Sequence, residues 1–177
     1  PTMQLESDKA EFHPIYNKRG TSLFYTIKDE KTAAIVKHEL NKSAVVLYSF
    51  NPRHIVREIT LSPDERYLSG RIEDRLFSLN LETLEFKYLS SELEKIGPPS
   101  WSRDSKQIFF ARLKIDSSDL HVYQLADGKT VYKASNTAYL KQMPDGRNFV
   151  VDHDLKLYLQ HADGQRDHIQ DFKHLSG

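Results

Sequence analysis

The stretch Pro98-Pro99-Ser100-Trp101-Ser102-Arg103-Asp104-Ser105-Lys106-Gln107-Ile108-Phe109-Phe110 decides the fold. A short strand ends at an aromatic, a polar turn follows, and a second, apolar strand begins. Three further stretches have the same form. They are Ile59-Thr60-Leu61-Ser62-Pro63-Asp64-Glu65-Arg66-Tyr67-Leu68-Ser69-Gly70, Leu140-Lys141-Gln142-Met143-Pro144-Asp145-Gly146-Arg147-Asn148-Phe149-Val150 and the more divergent His13 to Tyr25. Aligning Lys18, Pro63, Arg103 and Pro144 spaces the copies by 45, 40 and 41 residues. A period near 40 with several short strands in each unit is the mark of a β-propeller.

The turn has a physical logic. Proline presets φ at the first corner, aspartate bonds its own backbone, and glycine or a small residue takes the third place. Asp64, Asp104 and Asp145 are therefore the structural turn residues. After each turn comes a β-rich strand: 22–27, 67–72, 107–112 and 147–152. An alternating strand follows at 34–40, 75–81, 120–125 and 155–160, with period two clearest in Leu76-Phe77-Ser78-Leu79 and Leu120-His121-Val122-Tyr123. Short turns such as Ala126-Asp127-Gly128-Lys129 lead to an outer strand at 44–48, 85–89, 130–133 and 166–170. The reading is a single all-β domain over 1–177, a propeller-type array of four blades, each of four antiparallel strands. The repeats run approximately 11–50, 55–92, 96–135 and 137–170. Trp101, Phe109, Leu68, Phe24 and Phe149 are its expected core, buried between blades. Residues 90–96 read as one or two helical turns. Residues 3–6 read as a spare outer strand, and 172–175 as the start of a fifth unit.

The repeats resemble the TolB-like, WD-repeat-like propeller family, whose units carry a tryptophan, then Ser-Pro-Asp-Gly-Lys, then a strand. Trp101-Ser102-Arg103-Asp104-Ser105-Lys106 matches but lacks the proline and glycine; Leu61 through Arg66 lacks the aromatic and the glycine; Pro144 through Arg147 keeps the turn with Gln142 in the aromatic place. The resemblance implies one of three settings. These are a periplasmic TolB-like protein, the propeller of a prolyl-oligopeptidase-type peptidase, or the extracytoplasmic part of a membrane-anchored transcriptional regulator resembling ToxR and CadC. The last is the preferred expectation.

Composition narrows the function classes. Lys+Arg and Asp+Glu are both 25, so the formal net charge is zero, which argues against direct nucleic-acid binding, a process driven by a positive field. No apolar run approaches the roughly 20 residues of a membrane helix, and residues 1–6 carry no signal-peptide pattern. The absence of cysteine leans toward an extracytoplasmic location, with the cytoplasm as the alternative, and excludes thiolate chemistry. No Gly-x-Ser-x-Gly elbow and no phosphate-binding glycine loop occurs, so no catalytic or cofactor-binding residue is assigned. Asp152-His153-Asp154 groups three possible metal ligands, but on a strand the aspartates would face one way and His153 the other; it reads as a polar turn, and no metal is assigned. The functional expectation is a non-enzymatic sensory or protein-binding domain of a larger signalling or transcription-regulating protein. The alternative is a substrate-gating propeller of a hydrolase. The partner, protein or small ligand, is left open, and self-association through unpaired strand edges is a further expectation.

Overall fold

In a computed structural model, which describes residues 10–91 and 94–172, sixteen strands form four separate four-stranded antiparallel sheets. The first blade holds β1 (Ala10–Tyr16), β2 (Ser22–Lys28), β3 (Ala33–Glu39) and β4 (Val45–Phe50). The second holds β5 (Val56–Leu61), β6 (Tyr67–Ile72), β7 (Arg75–Asn80) and β8 (Phe86–Tyr88). The third holds β9 (Ser100–Trp101), β10 (Gln107–Leu113), β11 (Ser118–Gln124) and β12 (Thr130–Ser135). The fourth holds β13 (Tyr139–Gln142), β14 (Asn148–Val151), β15 (Lys156–Gln160) and β16 (Arg166–Asp171). Each blade is a plain meander, in chain order from its inner strand outward. This is a four-blade, propeller-like, all-β fold.

The inner strands touch in succession: β1 lies against β5, β5 against β9 and β9 against β13. No comparable packing joins the fourth blade back to the first among the described residues. The expected seam at residues 3–6 lies outside the described residues, as does the expected fifth unit beyond Phe172.

The core is layered between blades, because each sheet is apolar on both faces and must bury both. Phe24 and Ile35 of the first blade meet Val56, Ile59, Leu68, Phe77 and Leu79 of the second. Toward the rim, Phe86 stacks on Tyr48 at 4.5 Å and on Phe77 at 5.3 Å. Leu76 then meets Ile108, Phe110 and Trp101 of the third blade, and Phe109, Leu120 and Val122 meet Leu140 of the fourth. Gly70 pairs with Phe77, and a Cβ there would lie 2.9 Å from the ring and 3.0 Å from the Arg57 carbonyl, so only glycine lets the strands close.

The inner strand is bulged in three blades. The register slips by one residue between Phe12 and Ile15 and between Arg57 and Thr60. It slips again between the Ile96–Arg112 bridge and the Ser100–Phe109 pair, across Pro98-Pro99. His13 and Glu58 sit at the first two bulges with φ of 55° and 52°. The fourth blade has no bulge there; residues 139–142 pair evenly with 148–151.

Two sequence expectations are corrected. Among the described residues of 90–96 there is no helix. The Leu113 N–H donates to the Lys95 carbonyl at 2.8 Å and the Gly97 N–H to the Ala111 carbonyl at 2.9 Å, so pairing with β10 overrides a local helical preference. Phe149 is half-buried, whereas Phe24, Leu68, Phe109 and Trp101 are buried. Its neighbour Val150 pairs with Leu140, which packs toward the third blade. Successive strand residues alternate faces, so Phe149 points away from the third blade, where the described structure offers no following sheet.

Candidate functional site

The four blade turns are built alike. The third residue of each has positive φ: Gly20 at 66°, Glu65 at 61°, Ser105 at 61° and Gly146 at 91°. Asp64 Oδ1 accepts from the Ser62 hydroxyl at 2.6 Å and the Arg66 N–H at 3.2 Å. Asp104 Oδ1 accepts from Ser102 at 2.6 Å and the Lys106 N–H at 3.1 Å. Asp145 Oδ1 accepts from the Arg147 N–H at 3.0 Å, and its second oxygen from the Arg147 guanidinium. These contacts set the carboxyl chemistry. Burial opposes the Asp64 charge, but donors from Ser62, Arg66 and Ser105 outweigh it and hold the carboxyl below its ordinary range. The Ser102 hydroxyl does the same for Asp104, and the Arg147 side chain for Asp145.

The turns are also tied to one another. Glu65 Oε1 accepts from the Lys18 N–H at 2.8 Å, joining the second turn to the first. The Asp64 N–H donates to Ser105 Oγ at 2.9 Å, joining second to third. The Arg103 N–H donates to Gln142 Oε1 at 3.0 Å, joining third to fourth. Above this row, Trp101 lies 6.1 Å from Tyr67 and donates its indole N–H to the Thr60 carbonyl at 3.3 Å. The carboxylates of Asp104 and Asp145 are held within their own turns, and Trp101 packs at the junction of the second and third blades. Glu65, Ser105 and Gln142 were not singled out from sequence. Their signal was a polar side chain where the repeat carries glycine or an aromatic.

The opposite face, bearing the blade-entry loops and the hinges between second and third strands, carries two clefts. The larger of the two, about 670 Å³, lies between the third and fourth blades. Leu113, Ile115, Tyr139, Val151 and Leu155 form apolar walls, with Lys95, Lys114 and His153 at the rim. Ile115 is 94% exposed and Leu155 49%. The Lys114 ammonium is bonded to Asp119 at 2.7 Å, and burial raises the Tyr139 phenol. A second, more enclosed recess of about 270 Å³ lies between the first and second blades.

Asp152, His153 and Asp154 lie at the tight turn between β14 and β15. Asp152 is buried and accepts from the Lys156 N–H at 2.9 Å and the Tyr158 hydroxyl at 3.3 Å. Among the described residues no three His, Asp or Glu side chains converge as a metal site would need, and no helix is long and apolar enough to cross a membrane.

The chain is similar to solved β-propellers. No family model and no curated protein matches it by sequence. Among structures, TolB from Acinetobacter baumannii superimposes with a TM-score of 0.72 at 17% identity, over 94% of this chain and 45% of TolB. Oligogalacturonate lyase from Vibrio parahaemolyticus gives 0.68 at 16% identity, over 92% of this chain and 53% of the lyase. Acylaminoacyl peptidase from Pyrococcus horikoshii gives 0.63 at 14%, over 92% of this chain and 32% of the peptidase. The class is thus a β-propeller blade array, and its structural neighbours include TolB-like proteins, a lyase and a peptidase. The chain spans about half the length of the first two.

Proposed function

We propose that this chain is a non-enzymatic binding segment of a larger signalling or transcription-regulating protein, placed outside the cytoplasm. Its cleft between the third and fourth blades receives an extended peptide from a protein partner. The observation that carries the reading is Ile115, an almost fully exposed isoleucine in the β10–β11 loop at the lip of an apolar cleft that Leu155 also lines. Apolar side chains presented by hairpin loops beside an apolar cleft favour burial of a partner's aliphatic side chain. The basic rim, Lys95 above all, adds selectivity for acidic flanking residues.

Selection of peptides from a random display library against the whole chain tests this. Peptides with an aliphatic anchor and neighbouring acids should emerge, and their binding should fall about tenfold or more in Ile115→Asp. Selected peptides that bind Ile115→Asp as well as the unaltered chain would place recognition elsewhere. Compartment is checked independently with reporter fusions to the parent protein, which should be active only outside the cytoplasm.

A further inference from the structure

We propose that the recess between the first and second blades is a binding site for a small aliphatic carboxylate, separate from the peptide cleft. Its floor is apolar: Ala33 and Val56 are buried there, with Ile27 and Ile55 beside them. Its rim is basic: Lys28 and Arg57 are cationic, and His54 stands beside them.

What marks the recess is two cationic side chains, Lys28 and Arg57, that form no ion pair among the described residues. The Lys28 ammonium is half-buried and is held by the Pro52 and His54 carbonyls, the second at 3.0 Å. Two carbonyls fix its position without neutralising it, and an ammonium has a third N–H to give. Neither the Arg57 guanidinium nor the His54 imidazole has a hydrogen-bond or ion-pair partner among the described residues. The nearby carboxylates already have donors, Glu73 at the recess edge itself. Asp29 accepts from the Lys31 and Thr32 N–H groups at 2.7 and 2.6 Å, Glu73 from the Ile55 N–H at 2.9 Å, and Glu58 is clamped by Arg71. A carboxylate in the recess would be met by charge-assisted donors from Lys28 and Arg57. Its hydrocarbon part would displace water from Ile27, Ala33, Ile55 and Val56. A recess of about 270 Å³ suits a short-chain acid rather than an oligosaccharide.

The test is NMR titration of the whole chain at fixed ionic strength with isovalerate, and separately with isoamyl alcohol, its uncharged counterpart. Isovalerate should produce saturable shifts at Ala33, Ile55 and Val56; the alcohol should bind at least about tenfold more weakly, since a charge-assisted bond is lost. Arg57→Gln, at an exposed position, should weaken isovalerate about tenfold while the melting temperature is retained; Lys28→Met should do at least as much. Equal binding of acid and alcohol, unchanged affinity in Arg57→Gln, or no saturable shift at the recess would overturn the proposal. Because Ile115→Asp leaves this recess untouched, the peptide cleft and the carboxylate site fail or stand separately.

Discussion

The Arg71 guanidinium closes on both carboxylate oxygens of Glu58, with Nη2 2.8 Å from Oε1, and its remaining arm donates to the Ile96 carbonyl at 2.6 Å. Glu58 is the positive-φ residue of the β5 bulge, and Ile96 opens the third blade. One side chain therefore fixes a strained inner strand and ties it to the next blade.

Removing that clamp should be felt as lost stability. Arg71→Met strands the Glu58 charge and leaves the Ile96 carbonyl without its donor, and should cost about 2 kcal/mol in urea unfolding, the range for bonds to charged groups. Glu58→Gln keeps the shape and should cost less. Near-wild-type stability in Arg71→Met would show that the clamp contributes only geometry.

Glu65 separates backbone strain from the tether between turns. It holds a left-handed backbone, where a side chain is unfavourable by roughly 1 kcal/mol relative to glycine, and its carboxylate accepts from the Lys18 N–H. Glu65→Ala keeps the strain and loses the tether, and should lose about 1 kcal/mol. Glu65→Gly loses the tether but relieves the strain, and should stay close to the unaltered chain. Equal damage in both variants, measured by chemical denaturation, would mean that the tether dominates and the strain is negligible.

Trp101 and Phe149 should differ sharply on truncation. Trp101 is 6% exposed at the junction of the second and third blades, so Trp101→Ala should lose roughly 3–5 kcal/mol. Phe149 is half-buried, and Phe149→Ala should lose about half as much or less, since part of its surface is already in water. Thermal and denaturant melts of the two variants compare them directly.

Acid should loosen the blade turns. Asp64, Asp104 and Asp145 all have carboxyl pKa values depressed in the folded chain. A depressed folded pKa gives stability that is present above the unfolded pKa and lost as pH falls through the folded one. The melting temperature should therefore be level near neutrality and fall below a pH of about 4, the ordinary aspartate value. The triple Asp→Asn variant should flatten that fall. Glu39 offers a direct spectroscopic check. Hydrogen bonds from the Lys37 and Lys42 ammonium groups, with their charges, lower it to about 2, so its side-chain signals should titrate well below those of other glutamates. High salt should bring it back up.

Blade number, the four-strand meander and the turns were legible in the sequence because they depend on local physics. Period-two alternation, aspartate in the turn and a third residue suited to positive φ each act within a few residues. They recur in phase from His13 to Gln170, with aspartate in three of the four turns and glycine at the third place in two. Trp101 was legible as a junction residue for the same reason. Other features were set only by tertiary structure. The 90–96 segment became extended because β10 offered it hydrogen bonds. Phe149, in a strand like that of Phe109, stayed half-buried because burial needs a second sheet against the same face. Glu65, Ser105, Gln142 and the Arg71–Glu58 clamp join residues from different units. Their partners are fixed by how neighbouring blades rotate and pack, and no short-range pattern encodes that. The two clefts on the entry-loop face arise the same way, from loops some 40 residues apart in sequence brought side by side by the packing of consecutive blades.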